Sequence, residues 1–556
     1  MIKEELKKII ETAVKKSGFN LPEILIEKSK EINHGDYSTS LALVLSKQFK
    51  KNSMEIADKI ISQIGKNKLF KKIEAVSPGF INFYLSEEFF INNLKEILKG
   101  KENFGKNQNL KDQKVIVEYT DPNILKEFHI GHLMSNSIGE SLSRIFEFNG
   151  AKIKKICYQS DVGLGIAKAI WGKIEKPDLS WQDSYVFGTK SYDENESFKK
   201  EIIELNKKIF ERSDKNVNKI YDEGKKWSLD HFNGLYKKLG TKFDYFIFES
   251  EISDFGKKIV GNGLKKGIFE KGEKGAIIFK GEQYGLHTRV FINSEGLPTY
   301  EAKELALAKE KYKKYKYDQS VVVTGNEINE YFKVLLSAML QIFPELAEKT
   351  KHIGHGMMRL PEGKMSSRTG KVITAEFLIG EVEKLVAEKI KDRDLSNKEK
   401  EEITEKVAIG ALKYSILKQS IGSDIIYNFE KSISFEGDSG PYLQYSYARA
   451  QSILKKAKVE KIKSSLKNIP NEISQLEKDM SYFPEIIEKA SKEYEPHYIV
   501  LYLIEIARDF NNYYANNKII DSTDEFSPYK VALTQAFSII MKNGLWLLGI
   551  NSLEKM

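Results

Sequence analysis

Residues 122–132 read Pro-Asn-Ile-Leu-Lys-Glu-Phe-His-Ile-Gly-His, and residues 363–370 read Gly-Lys-Met-Ser-Ser-Arg-Thr-Gly. His129 and His132 open a stretch of helical periodicity. Backbone N–H groups and the helix dipole already favour phosphate at such a point. Imidazole N–H donors placed there can follow negative charge as it grows on a triphosphate in a transition state. Gly131, between them, leaves room for a ligand to lie close against the backbone. Lys364, Met365, Ser366, Ser367 and Arg368 form a loop bounded by Gly363 and Gly370. Such a loop can bring a cation over a leaving pyrophosphate when the reaction demands it. Either stretch alone is a weak signal. Together they are equipment for splitting a nucleoside triphosphate between its α and β phosphates.

The elements that must position these groups can be read around them. Val115, Ile116, Val117, Glu118 and Tyr119 form an apolar strand leading into the histidine loop. Met134, Ile138, Leu142 and Ile145 then recur at helical spacing. Asn149-Gly150 supplies the left-handed residue that ends a helix, and residues 155–158 return as a strand. This is a βαβ unit, whose ligands sit where strand ends meet helix N-termini.

Competing readings of the same residues are weaker. A zinc pair at His129 and His132 lacks a third Cys or His nearby. The tetrapeptide His-Ile-Gly-His recurs at 352–355, but without the Pro-Asn-x-x-Lys lead-in and without an amphipathic helix after it. It reads as the strand and turn feeding the 363–370 loop. Residues 100–107 nearly spell a P-loop, yet Asn107 stands where a magnesium-binding hydroxyl belongs and no strand precedes it. That segment reads as a linker.

Bulk composition permits a polyanionic partner without demanding one. The formal charge is +9, from 88 Lys and Arg against 79 Asp and Glu, with the signs mixed. One cysteine, Cys157, allows no internal disulfide and fits a reducing compartment. The first residues carry no apolar signal core and no apolar run approaches membrane-spanning length. A soluble, cytoplasmic protein is expected. The opening hundred residues read as a small α/β unit with helical patterns near Leu41–Leu45 and Ile56–Ile64, a polar turn at 34–38, and a turn then strand over 76–83. The last third is helical: Ile403, Val407, Ala411 and Tyr414 make one stripe. Arg449 and residues 508–514 (Arg-Asp-Phe-Asn-Asn-Tyr-Tyr) interleave basic, amide and aromatic groups suited to unstacked bases. A helix bundle whose aromatics are all core is the alternative for any one of them.

The two motifs, with RNA-binding features outside them, resemble class I aminoacyl-tRNA synthetases. The resemblance narrows to arginyl-tRNA synthetases through residues 117–124 (Val-Glu-Tyr-Thr-Asp-Pro-Asn-Ile), Gly296–Tyr300 followed by Glu304, and residues 437–445. It implies a multidomain α/β plus all-α fold. Residues 1–105 would be an N-terminal α/β domain binding the tRNA elbow. Residues 106–377 would be a Rossmann-like (HUP-type) parallel-sheet catalytic domain with an insertion around 175–285. Residues 378–435 would be a helical connector, and 436–556 a helical-bundle anticodon-binding domain.

The resemblance also implies roles. Glu118 and Glu304 would face a guanidinium, a planar fork of donors that carboxylates accept in pairs, with Tyr300 beside it. Pro122, Asn123 and His132 would hold the rest of the arginine. His129, Gly131, His132 and the loop from Lys364 to Arg368 would hold ATP, with Mg2+ arriving on the nucleotide and no metal ligands from the protein. The family usually has Asp at Glu304 and Gln at Ile328, which leaves the pocket's details open. The common loop carries a second lysine where this chain has Ser367; Lys126, three residues before His129, can supply the missing cation. The implied reaction joins L-arginine to tRNA(Arg) at the expense of ATP, in a monomer away from membranes. A small-molecule nucleotidyltransferase of the same superfamily and an inactive synthetase-like RNA-binding protein are the alternatives.

Overall fold

The computed structural model describes residues 2–29, 34–360 and 373–556. Its centre is a five-stranded parallel sheet in which strands Thr350–His355, Gln319–Gly325, Lys114–Tyr119, Lys152–Gln159 and Tyr245–Phe248 lie side by side in that order. The register is continuous, with Val321 opposite Val117 on one side and Lys351 on the other. A parallel sheet covered on both faces needs unbroken apolar strands. Val115, Ile116, Val117 and Tyr119 are accordingly buried at the middle of it.

The helix Ile130–Phe148 crosses this sheet and carries the paired histidines at its N-terminus. Gly139 allows the crossing, since a Cβ there would come within 2.2 Å of the Tyr119 ring. Gly139→Ala should therefore strain the strand–helix contact by about 3 kcal/mol, read as a Tm lowered by several degrees. An unchanged Tm would mean that this packing is looser than described. Further along, Glu140 is buried and accepts from Tyr119 Oη at 2.7 Å, Arg144 Nε at 2.8 Å and Lys155 Nζ at 2.9 Å. Ser141 and Arg144 donate to the carbonyls of Leu547 and Trp546, both at the end of the last helix. Buried Lys413 donates to the carbonyls of Leu239 and Gly549, and burial pushes its pKa down to about 7. Cations and hydroxyls thus satisfy helix C-terminal carbonyls, tying the far end of the histidine-bearing helix to the rest of the molecule.

Residues 175–285 do not form one unit apart from the sheet. Strand Tyr245–Phe248 lies within that span and is the sheet's outer strand. The extra helices before it (Trp181–Glu194, Glu196–Glu211, Lys215–Leu239) pack with Leu164–Glu175 around Ile170, Trp171, Ile202 and Ile209. Ile124 and Leu125 of the histidine loop are buried in that same cluster. After it comes the helix Glu249–Lys265 and a small antiparallel sheet between residues 270 and 292.

The N-terminal unit has helices Ile2–Lys16, Leu41–Phe49 and Ser53–Ile64 on a four-stranded antiparallel sheet. Strand Phe70–Val76 was not anticipated, and Tyr37–Thr39 is strand where a polar turn was expected. This unit packs on the C-terminal helices. Tyr37 Oη donates to Glu485 at 2.7 Å, Lys28 pairs with Asp479 at 2.8 Å, and Phe104 stacks on Phe483. The near-P-loop at 100–107 ends a helix and packs by Gly105 against Phe483, a linker role. Among the described residues no helix is long and apolar enough to cross a membrane.

Candidate active site

The chain leaves the central strand in an unusual path. Thr120, Asp121 and Leu125 all have positive φ, at 84°, 45° and 62°. Such conformations cost free energy in non-glycine residues and persist only when over-determined. Here Asn136 donates to Thr120 Oγ1 at 3.0 Å, the Tyr158 amide donates to Asp121 at 2.7 Å, and the Leu125 amide donates to Ser228 Oγ at 2.9 Å. The loop is thereby held by three separate elements.

It delivers His129 as the N-cap of the helix. Nδ1 of His129 accepts from the Gly131 amide at 3.1 Å, and Nδ1 of His132 accepts from the His129 amide at 3.2 Å. The two rings stack with centroids 3.6 Å apart. Burial, then the charge of Lys126, holds His129 below its ordinary pKa. Burial, then His129 and Lys126, holds His132 well below. Both rings are therefore neutral at physiological pH. With each Nδ1 occupied as an acceptor, the single ring proton sits on Nε2. The pair offers two N–H donors rather than two cations. Gly131 has a further reason to be glycine, because a Cβ would lie 2.9 Å from the His129 ring.

These groups open into a cavity of about 920 Å³ at the carboxyl ends of the strands, the place and size expected of a small-molecule site. A cleft of about 900 Å³ lies at the opposite ends of the strands, near Gln113, Gln319 and Tyr494, remote from the histidines. On one side of the active cavity stand five acidic side chains: Glu118, Asp121, Glu249, Glu301 and Glu304. Three are paired. Lys311 reaches Glu118 at 2.7 Å with both side chains buried, Lys303 pairs with Glu249, and Arg289 reaches Glu301 at 3.2 Å. Asp121 and Glu304 have no cation paired with them among the described residues. Burial, then the neighbouring Glu118, pushes Glu304 up to about 8 and Asp121 well above its usual range. The cavity therefore holds an uncompensated acidic corner waiting for a cation.

Of the residues singled out by sequence, the structure brings Glu118, Asn123, His129, Gly131, His132, Tyr300 and Glu304 to this one cavity, with Ile328 in its wall. Tyr300 is 56% exposed at the start of the helix Tyr300–Lys314. Pro122 is buried and not among the cavity-lining residues. Glu118 was expected to face a ligand, and its carboxylate is engaged by Lys311. Lys126 lies outside the lining, its Nζ 4.3 Å from the Tyr185 ring centroid. Lys364, Met365, Ser366, Ser367 and Arg368 fall outside the described residues. The chain after them returns to the histidines, the Ile130 amide donating to the Ile373 carbonyl at 3.1 Å. Sequence reasoning gave no role to Asp121, Lys311 or His355, all of them buried or half-buried here. Lys311 had a legible signal: it lies two helical turns from Glu304, on the same face.

Comparison with known proteins agrees with this geometry. Residues 93–429 match the class I (R) tRNA synthetase catalytic domain, residues 443–556 the DALR anticodon binding domain, and residues 2–85 the arginyl tRNA synthetase N-terminal domain. The arginine–tRNA ligase of Borrelia hermsii is 32% identical over 585 residues, covering 100% of this chain and 99% of that protein. The chain belongs to the arginyl-tRNA synthetase family. The Treponema denticola arginine–tRNA ligase is likewise 32% identical, over 96% of this chain and 95% of its own. The Thermus thermophilus and Plasmodium falciparum arginyl-tRNA synthetase structures superpose with TM-scores of 0.80 at 22% identity, covering all of this chain. As an arginyl-tRNA synthetase, the chain is an aminoacyl-tRNA ligase that uses ATP, with the class I catalytic domain, N-terminal domain and helical C-terminal domain that its motifs implied. The matches span the N-terminal domain and the anticodon binding domain as well as the catalytic one, which favours the ligase over a small-molecule nucleotidyltransferase.

Proposed function

We propose that this chain activates L-arginine with Mg-ATP and transfers it to the 3′-terminal adenosine of tRNA(Arg), with the residues of the cavity in the following roles. The arginine carboxylate attacks the α-phosphorus, forming the adenylate as the α–β phosphoanhydride bond breaks and pyrophosphate leaves. A hydroxyl of the terminal ribose, the 2′ by class I resemblance, then attacks the activated carbonyl and AMP leaves. The observation that carries this reading is the pairing of two neutral Nε2–H donors at a helix N-terminus with an uncompensated acidic corner in one cavity.

The donors of His129 and His132 meet phosphate oxygens and strengthen as charge moves onto the leaving pyrophosphate. Lys126 and Lys364 bring cations to the same oxygens, and Mg2+ enters on the nucleotide. Glu304 and Asp121 take the guanidinium as a two-carboxylate fork, while Glu118 anchors Lys311 behind them. Asn123 holds the α-amino and carboxylate end beside His132, and Tyr300 flanks the substrate at the rim. The N-terminal and C-terminal domains, which touch one another through Tyr37, Lys28 and Phe104, bind the tRNA outside the catalytic domain. We place the protein in the cytoplasm as a monomer. Charging of bulk tRNA tests the function: arginine alone among the amino acids should become esterified.

The acidic corner also predicts a proton. Free Glu304 titrates near 8, so at pH 7 it is mostly protonated, and only its carboxylate can take a guanidinium. Asp121 is raised as well, so arginine binding should release at least one proton at pH 7 and tighten as pH rises towards 8. Calorimetry in two buffers of different ionisation enthalpy measures the release. Proton uptake, or affinity that falls over this range, would contradict the assignment.

A further inference from the structure

Lys126 leaves the strained loop three residues before His129, and two helices of the insertion form a slot that receives it. On one side is the first turn of the helix Leu164–Glu175, where a Cβ at Gly165 would come within 3.4 Å of Lys126 Nζ and 3.9 Å of the Tyr185 ring. On the other is the helix Trp181–Glu194, whose Tyr185 ring lies under Nζ with its centroid 4.3 Å away. Gln182 of that helix accepts from the Glu127 amide at 3.3 Å. The helix thus grips the backbone beside the lysine as well as its tip.

The slot is rigid. A Cβ at Gly172 would meet the Ser184 carbonyl oxygen at 2.1 Å, and one at Gly188 would meet the Lys168 carbonyl oxygen at 2.0 Å. These contacts press the two helices together on either side of Tyr185, backbone against backbone. A lysine stem would otherwise be free to turn its ammonium to water, and the positive N-terminal end of a helix gives it no reason to stay.

What holds a lysine decides what it can do. A carboxylate holds it and cancels its charge, as Glu118 does for Lys311 and Glu249 for Lys303 on the far side of the cavity. An aromatic face attracts an ammonium through the ring quadrupole but carries no net charge. Lys126 therefore stays a full cation beside the histidines, and its field contributes to the lowered pKa of both. Tyr185 feels the same field: burial raises its phenol, and the charge of Lys126 leads the effects that bring it below its ordinary value. The device recurs along these helices, with Lys168 Nζ 4.2 Å from the Tyr192 centroid and Lys176 Nζ 4.0 Å from that of Phe187.

We propose that Tyr185 is a positioning residue for the activation step, its ring face keeping the Lys126 ammonium within reach of the triphosphate with the charge uncancelled. The proposal rests on the reading of Lys126 as a phosphate-neutralising cation and gives the helical insertion a part in catalysis. Tyr185 itself touches no reacting atom; it acts by limiting where Lys126 can be when ATP arrives.

A double-mutant cycle in the full-length protein tests this, read by ATP–pyrophosphate exchange with arginine and bulk tRNA. Tyr185→Leu, or Tyr185→Met if Leu lowers Tm, should reduce kcat about tenfold, the scale of one cation–π contact in a partly desolvated site. The KM for arginine should not move, because the acidic corner is untouched. Tyr185→Phe, which keeps the ring face, should hold most of the rate. In a Lys126→Ala background the Leu substitution should cost nothing further. Equal fractional losses in the two backgrounds, a Phe variant as impaired as the Leu one, or a normal kcat for Tyr185→Leu beside an impaired Lys126→Ala overturns the role of Tyr185 and leaves Lys126 in place. Normal turnover by Lys126→Ala overturns both.

Discussion

Glu304→Gln is expected to lower kcat/KM for arginine by at least about 10²-fold while leaving ATP affinity unchanged, since a charge-assisted bond to a buried guanidinium is lost. The ion pairs around Glu304 decide the size of the effect. Lys311, Lys303 and Arg289 already neutralise Glu118, Glu249 and Glu301, so no neighbouring carboxylate is free to replace it except Asp121. Asp121 already accepts from the Tyr158 amide and cannot reproduce a two-carboxylate fork alone. Lysine, a point charge, leaves part of that fork unpaired, and discrimination of this type can reach about 10⁴-fold without editing. Glu304→Gln should erode that ratio as well as the rate. Steady-state kinetics with both amino acids measures it; near-normal arginine kinetics would remove Glu304 from the pocket.

Lys126→Ala should lower kcat by about 10²-fold, the scale of one lost electrostatic donor in a preorganised site. Lys126 stands on the strained loop just ahead of His129, and its charge already depresses the pKa of both histidines, so its field reaches the place where phosphate must lie. At rest its Nζ sits against the Tyr185 ring, a partner that a triphosphate outbids electrostatically. Because Ser367 stands where related loops carry a second lysine, Ser367→Lys in the Lys126→Ala background should recover part of the loss. Normal turnover by Lys126→Ala, or a harmless Lys364→Ala beside a sensitive His129, would show that the phosphates are neutralised elsewhere.

The parts of the fold legible in sequence were those with strong local period. Residues 115–117 are continuously apolar because both faces of that strand are covered, and the helix from Ile130 shows its stripe because it lies on the sheet. Strand Phe70–Val76 begins with Phe-Lys-Lys, both lysines exposed, so it carries no apolar run. Strand Tyr245–Phe248 has four residues between charged helices, too short for periodicity to separate from its surroundings. Its membership of the sheet is decided by pairing with Ile156 to Gln159, a contact distant in sequence.

The site divides in the same way. Residue types and spacing pointed to His129 and His132 because their chemistry is carried by the motif itself, whereas Glu304 was implied by the family resemblance. That Glu118 is taken by Lys311, or that the two Nδ1 atoms accept backbone amides and so fix the Nε2–H tautomer, depends on tertiary distances that no spacing encodes. The second histidine pair reads as mere strand and turn in sequence. Only the sheet order places His355 in the wall of the same cavity.

ATP–pyrophosphate exchange with the full-length protein is the most direct test of the central claim. In the presence of bulk tRNA, label should pass from pyrophosphate into ATP when L-arginine is added and fall to background when lysine replaces it. Exchange that ignored arginine, or its absence from a folded protein supplied with ATP, arginine and tRNA, would contradict the account.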